Sequence, residues 1–231
     1  MRKGFMILGA TLLAATAASA QPYPSNGTLG IYTDAAGSSC CLQAPAGVPQ
    51  LAYVLMTLGG QTATGISGAE FRIEISAPAG YFFIWNGNAA AFNTILGSPI
   101  DDTPADPNDN KGVNMAAALC QPNDHTPAAG DKVLLGTIQI INFGAGLPTD
   151  LTVKRKSPPS NPVQADCPLV TLCDAPVFTK ACLSAQPANL PPASGEAKHF
   201  IATLNKACGG GSCGFVGVEQ KTWSTMKSLF R

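Results

Sequence analysis

Charge is what this chain has least of. Only 12% of its 231 residues are Asp, Glu, Lys or Arg, and the 14 basic and 14 acidic side chains cancel. No basic stripe is present to neutralise a phosphate backbone, which excludes a nucleic-acid partner. Histidine is scarcer still: there are two, His125 and His199. Neither is accompanied by a Gly-x-Ser-x-Gly elbow, so no hydrolase centre is legible. Paired Cys-x-x-Cys spacing is missing, which removes the usual zinc pattern. Long amphipathic helical stretches alternating with strands are missing too, which argues against a doubly wound α/β fold. After the first twenty residues no apolar run is long enough to span a bilayer.

What is abundant is glycine (24), proline (19) and apolar residues (45%). That mixture suits short strands joined by many turns, with enough apolar mass for a real core. The opening twenty residues have their own pattern. Arg2 and Lys3 precede an apolar run from Phe5 to Ala18, and Ala18-Ser19-Ala20 ends it with small residues. This reads as a secretory signal over 1–20 rather than a membrane span. Removing Arg2 and Lys3 leaves 12 basic against 14 acidic residues, a net charge of −2. Export predicts a secreted, periplasmic or cell-surface location, where the eight cysteines become disulfides.

Strand signals run from 21 to 156. Leu29 to Thr33 is a short β-prone run. Leu51 to Leu58 is apolar on both faces, as for a strand covered on each side. Ala69 to Ser76 alternates cleanly, with Phe71, Ile73 and Ile75 on one face and Arg72 and Glu74 on the other. Tyr81 to Trp85 is an aromatic strand, Val113 to Leu119 fits either strand or helix, and Val133 to Phe143 and Leu151 to Arg155 complete the set. Six to eight strands with frequent turns predict an antiparallel β-sandwich. From 157 to 217 prolines and cysteines intermingle, which reads as an irregular, disulfide-braced extension. Within it Ala197 to Asn205 has the composition of one more strand.

All eight cysteines (Cys40, Cys41, Cys120, Cys167, Cys173, Cys182, Cys208 and Cys213) are disulfide candidates. The short Gly/Ser loop between Cys208 and Cys213 allows those two to meet. A bond between adjacent Cys40 and Cys41 would be strained, so separate partners are expected, Cys120 being one candidate. Cys167, Cys173 and Cys182 are spaced for one local bridge plus one distant one. No cofactor is called for. Calcium is the single ion with a candidate site, at Asp106, Asn108 and Asn110, which imitate the alternating oxygen ligands of a calcium loop. Lys111 stands where that loop needs glycine, and no acidic residue closes it; a solvated turn explains the same residues. The aromatics of Tyr81 to Trp85 could stack on sugars, but strand alternation sends half of them into the core.

The stretch 218–231 is amphipathic. Thr222 can cap a short helix that places Trp223, Met226 and Phe230 on one face with Leu229 beside them, and Lys221, Lys227 and Arg231 elsewhere. It reads either as a helix packed on the domain or as a docking tail for a protein partner or for surface or sorting machinery. Thr222-Trp-Ser-x-Met-Lys-x-Leu-Phe-Arg231 resembles the Thr-Trp-Gly-x-Ile-Lys-x-Leu-Tyr-Arg endings of uncharacterised exported bacterial proteins. Gly30-Ile-Tyr-Thr-Asp34 to Cys40 is similar to an early segment of the same proteins. That resemblance implies bacterial export and no particular activity. Ala69 to Ile75 followed by Gly80 resembles the strand-turn region of cohesin-like and related adhesion sandwiches. The reading that results is a secreted structural or adhesive, non-catalytic sandwich of cohesin/Ig-like type whose tail serves sorting or attachment. A glycan- or calcium-binding module is the alternative, and a hydrolase comes last.

Overall fold

The computed structural model describes residues 27–102, 111–160, 167–174, 176–183 and 201–206. The leader over 1–20 lies outside them. So do His199, the acidic-loop positions Asp106, Asn108 and Asn110, the cysteines Cys208 and Cys213, and the tail residues Trp223, Met226, Leu229 and Phe230.

The described chain is mainly β. Its strands are β1 Thr28–Tyr32, β2 Cys41–Leu42, β3 Gln50–Thr57, β4 Ile66–Ile75, β5 Tyr81–Gly87, β6 Thr94–Leu96, β7 Ile100–Asp101, β8 Val113–Gln121, β9 Lys132–Asn142, β10 Thr149–Lys154, β11 Leu169–Leu172, β12 Lys180–Cys182 and β13 Ile201–Leu204. A single 3-10 turn over Gly60–Thr64 is the helical element among the described residues. They form two sheets. The first has four strands in the order β1-β3-β9-β5, all antiparallel. The second has nine and is organised around β4. One edge of β4 pairs with β11 and then β10; the other pairs with β8 and then β7. Beyond β10 follow β13 and β2, the latter pair parallel.

The core lies between the sheets. Alternation puts Ala52, Val54 and Met56 of β3 and Ile138 and Ile140 of β9 on the inner side of the first sheet, where all are fully buried. Phe71, Ile73 and Ile75 of β4 and Leu151 and Val153 of β10 face them from the second. The Ala69–Ser76 alternation of the sequence is thus realised, with Arg72 and Glu74 on the outside. Val113 to Leu119, compatible with helix or strand by sequence, is strand: Val113 and Met115 enter the core beside β4.

Two findings correct the sequence-based expectations. First, β3 is not covered on each side. It lies inside its sheet, but Leu51 on its outer face is 44% exposed. Further along that face cover increases: Tyr53 is half-buried, its neighbour Tyr32 on β1 is buried, and Leu55 is shielded by the loop at Gly37, whose backbone is held by Lys132 reaching the Ala36 carbonyl. Second, Cys120 does not pair with Cys40 or Cys41. It is bonded to Cys173, with Cα atoms 5.7 Å apart. The reason is β4. Gln121 and Leu172, the neighbours of the two cysteines, pair opposite edges of β4 at the same residue, Ile66. The bridge therefore closes over the start of β4 at Gly65, where a Cβ would collide with Cys120 Sγ. Cys167 and Cys182 tie together the open end of the β11–β12 hairpin, next to the Leu169–Cys182 pair. Cys41 is also disulfide-bonded, whereas Cys40 is a free thiol, partly buried. The stretch beyond 156 supplies β11, β12 and β13 to the second sheet.

Candidate functional site

The outer faces of the two sheets differ in chemistry. That of the second sheet is an ionic surface of partly buried charge pairs. Arg72 donates to Asp101 at 2.8 Å and lies 3.8 Å from Glu74; Lys154 holds Glu74 at 2.7 Å across the β4–β10 pair. Lys206 reaches Asp150 at 2.6 Å. A cavity of about 240 Å³ is let into this face beside Glu70, Asn114, Thr171 and Lys180. Its buried carboxylate, Glu70, accepts the Ser160 amide hydrogen at 2.8 Å, and Lys180 donates to the Ser160 hydroxyl. These contacts fasten the 157–160 segment across the sheet.

The outer face of the first sheet carries no charge over most of its length. Register and alternation stack Phe82 against Ile141, then Ile84 against Gln139 and Leu51, then Asn86 against Thr137 and the half-buried Tyr53, where the buried Tyr32 of β1 closes the open face. Phe82 is 52% exposed. At the same end, Val48 and Phe143 extend the apolar surface, Phe143 being 70% exposed. Scattered exposed apolar residues are ordinary; a contiguous set on a flat, uncharged sheet is not.

That end of the sheet is rigidly built. Asn142 turns inward, donates to the Ala44 carbonyl at 2.8 Å and accepts the Gly144 and Gly146 amides. Tyr81, the first residue of β5, donates its hydroxyl to the Leu147 carbonyl at 2.9 Å and receives the Asn205 amide at 2.9 Å. Burial raises the Tyr81 phenol above its ordinary pKa, and the Asn205 hydrogen bond only partly offsets it. Asn205 also accepts the Ala44 amide at 2.7 Å, so the chain leaves β13 pinned against the Tyr81 hydroxyl, on the core side of β5.

Of the aromatic run, Tyr81, Phe83 and Trp85 point to the core side and Phe82 alone points out. His125 lies on an exposed loop, with Nδ1 2.7 Å from Asp124 and Nε2 3.0 Å from Asp131. The Asp131 hydrogen bond raises its pKa. The open sheet face was not singled out by sequence reasoning. Its signal was present in β3, where Leu51, Tyr53 and Leu55 alternate with Ala52, Val54 and Met56, both sets apolar. On β9 the outward Thr137 and Gln139 look like an ordinary solvated face and hide it. Among the described residues no helix is long and apolar enough to cross a membrane.

No family model and no curated protein matches the chain. Among solved structures it is similar to the sixth cohesin of scaffoldin B from Acetivibrio cellulolyticus, determined with a Cel5 dockerin, at 10% identity and a TM-score of 0.42 over 78% of this chain and 99% of that one. A cohesin module of a family 33 glycoside hydrolase from Clostridium perfringens gives 15% identity and 0.39 over 78% and 98%. An OlpA cohesin from Clostridium thermocellum, in complex with a dockerin, gives 12% and 0.33 over 68% and 91%. The chain's own surfaces, not these likenesses, carry the functional reading.

Proposed function

We propose that this chain is a non-catalytic, protein-binding β-sandwich of structural or adhesive type acting outside the cytoplasm, and that a partner docks on the open face of its four-stranded sheet. The observation that carries this is the contrast between the two outer faces: one is laced with ion pairs, the other is flat, uncharged and studded with Leu51, Phe82 and Phe143. Burying such side chains against a partner gains about 1.5–3 kcal/mol each. Five residues of three strands, from the Phe82 row to the Asn86 row, offer about 240 Å² of face. A standard interface buries about 800 Å² per partner, so the rim at Val48, Phe143 and Leu147 belongs to it as well. The Cys120–Cys173 and Cys167–Cys182 bridges support an oxidising, extracellular setting. On this reading the 218–231 tail serves attachment or sorting. A glycan-binding face is less well supported, because three of the four aromatics in the run turn away from solvent.

The test is cross-linking mass spectrometry in cells that produce the protein. Cross-links to a second protein are expected to map to the Leu51–Phe82–Ile141 face. Phe82→Asp should abolish them and leave the thermal melt unchanged. Cross-links that cluster instead on the Arg72–Glu74–Lys154 face, or that survive Phe82→Asp, rule the reading out.

A further inference from the structure

We infer that two copies of this chain pair edge to edge through β5, antiparallel about Ile84, and so join their four-stranded sheets into one continuous sheet. The inference goes beyond the docking face and does not rest on it. It concerns the edge of the sheet, and three observations lead to it.

The first is an open row of backbone groups. β5 is the last strand of its sheet, with β9 on one side and no strand on the other. At the two ends of the β5–β9 ladder, Phe143 donates its amide to the Gly80 carbonyl and Asn88 donates to the Leu135 carbonyl. Antiparallel pairing alternates, so Phe82, Ile84 and Asn86 bond β9, while Phe83 and Trp85 turn their N–H and C=O groups to the free edge. Among the described residues nothing meets those groups. Local turns close the row at either end: Tyr81 donates to the Pro78 carbonyl at 3.1 Å, and Ala89 to the Gly87 carbonyl at 2.9 Å.

The second is that this edge is unprotected. Natural edges are blunted by charge, proline, a bulge or shortness. Tyr81–Gly87 runs for 7 residues with no charge, no proline and an unbroken register against β9. Among the described residues the other edges differ. β12 is 3 residues long and carries Lys180, β6 is 3 residues long and β2 is 2. β1 packs against β13 and β10.

The third is self-complementarity. The open row is symmetric about Ile84. Antiparallel pairing about that residue sets Phe83 opposite Trp85 of the second copy, so every open group on both copies is bonded. On the outward side Ile84 meets its own copy and Phe82 meets Asn86, with no charge opposed. A twofold contact of this kind uses the edge up and stops there, which selects a second copy over open-ended strand addition. The joined sheets present the open face twice over, about 480 Å² in all.

For the test, Ile84→Cys and Asn86→Cys are made separately in the full chain and oxidised with diamide. In the paired register the two copies of position 84 form a non-hydrogen-bonded pair with Cα atoms about 4.5 Å apart, within disulfide range. The two copies of position 86 lie about 13 Å apart along the strands, outside it. Ile84→Cys is expected to give a covalent dimer that peptide mapping links through position 84, and Asn86→Cys none through position 86. Sedimentation velocity of the unsubstituted chain should show a reversible dimer. Its dissociation constant should rise about tenfold in Ile84→Lys, where two like charges oppose each other, with an unchanged thermal melt at low concentration as the control on folding. A chain that stays monomeric up to submillimolar concentration, equal cross-linking at both positions, or a dimer insensitive to Ile84→Lys would each overturn the inference. None of these results touches the partner cross-links on the Leu51–Phe82 face. Loss of those partner cross-links from a chain that still dimerises would instead remove the functional reading.

Discussion

Phe71 of β4 and Trp85 of β5 meet edge to face across the sandwich, ring centroids 6.1 Å apart and planes at 83°. They belong to different sheets, so this one contact reports whether the two layers are in register. Room for the indole is made on β9, where Gly136 lies directly beneath it: a Cβ there would run into the Trp85 ring and come within 2.6 Å of the Asn86 carbonyl.

Truncating Phe71 to Ala should cost about 3–5 kcal/mol, because the ring is fully buried and neighbouring strands cannot close over the space. Gly136→Ala should cost about 1–3 kcal/mol through overpacking. Urea unfolding of both variants checks the order. A Gly136→Ala protein as stable as its parent would show that the indole is not held where it is described.

Removing Cys120 and Cys173 together should destabilise more than removing Cys167 and Cys182. The first pair spans 53 residues and the second 15. Loop-closure entropy then gives about 4 and about 3 kcal/mol. Paired Cys→Ser variants compared by chemical denaturation test this. Equal losses, or the reverse order, would mean that native-state contacts outweigh the chain entropy.

Asp101 is 1% exposed and shares an ion pair with Arg72, itself 22% exposed. Arg72→Met should cost about 2–3 kcal/mol, below the range for a fully buried pair because the guanidinium is partly hydrated. Restoring much of that loss by adding Asp101→Asn would identify the Arg72–Asp101 pair as the cause. A double-mutant cycle with no coupling would argue otherwise.

Two opposite pH limbs follow from the exposed carboxylates and His125. Asp34 is held below its ordinary pKa chiefly by the Ser38 hydroxyl at 2.7 Å, Asp174 by Thr179, and Asp131 by the Ala128 amide with His125 second. Their contribution is complete above the unfolded value of about 4 and is lost as pH falls through the folded one. His125, raised first by Asp131, contributes fully below about 6.5 and loses its share as pH rises through its folded pKa. The urea midpoint should therefore be highest between these limits. His125→Gln should flatten the alkaline limb and also shrink the Asp131 share of the acid one, whereas Asp34→Asn should act on the acid limb alone. An alkaline limb unchanged in His125→Gln would refute the assignment.

The alternation of β4 could be read from Phe71, Ile73 and Ile75 against Arg72 and Glu74, because a two-residue period fixes which face is wet wherever charges mark it. The local bridge within Cys167–Cys182 was open to spacing arguments. The Cys120–Cys173 bridge was not. It exists because β8 and β11 flank the same residue of β4, and pairing partners 53 positions apart leave no local trace. The open face stayed hidden for a similar reason. It is assembled from outward residues of β3, β5 and β9, three strands far apart in sequence, and uncharged polar residues on β9 made it resemble ordinary surface.

The sequence by itself determined the class of molecule: sparse charge, many turns and period-two apolar runs leave a strand-built, disulfide-bearing sandwich as the consistent solution, since those are local properties that each segment carries alone. Only the tertiary structure decided which side of the first sheet remains uncovered, which cysteines meet, and that the chain leaves β13 against the Tyr81 hydroxyl. Each of these depends on strand order, and strand order is set by the joint burial of residues far apart along the chain.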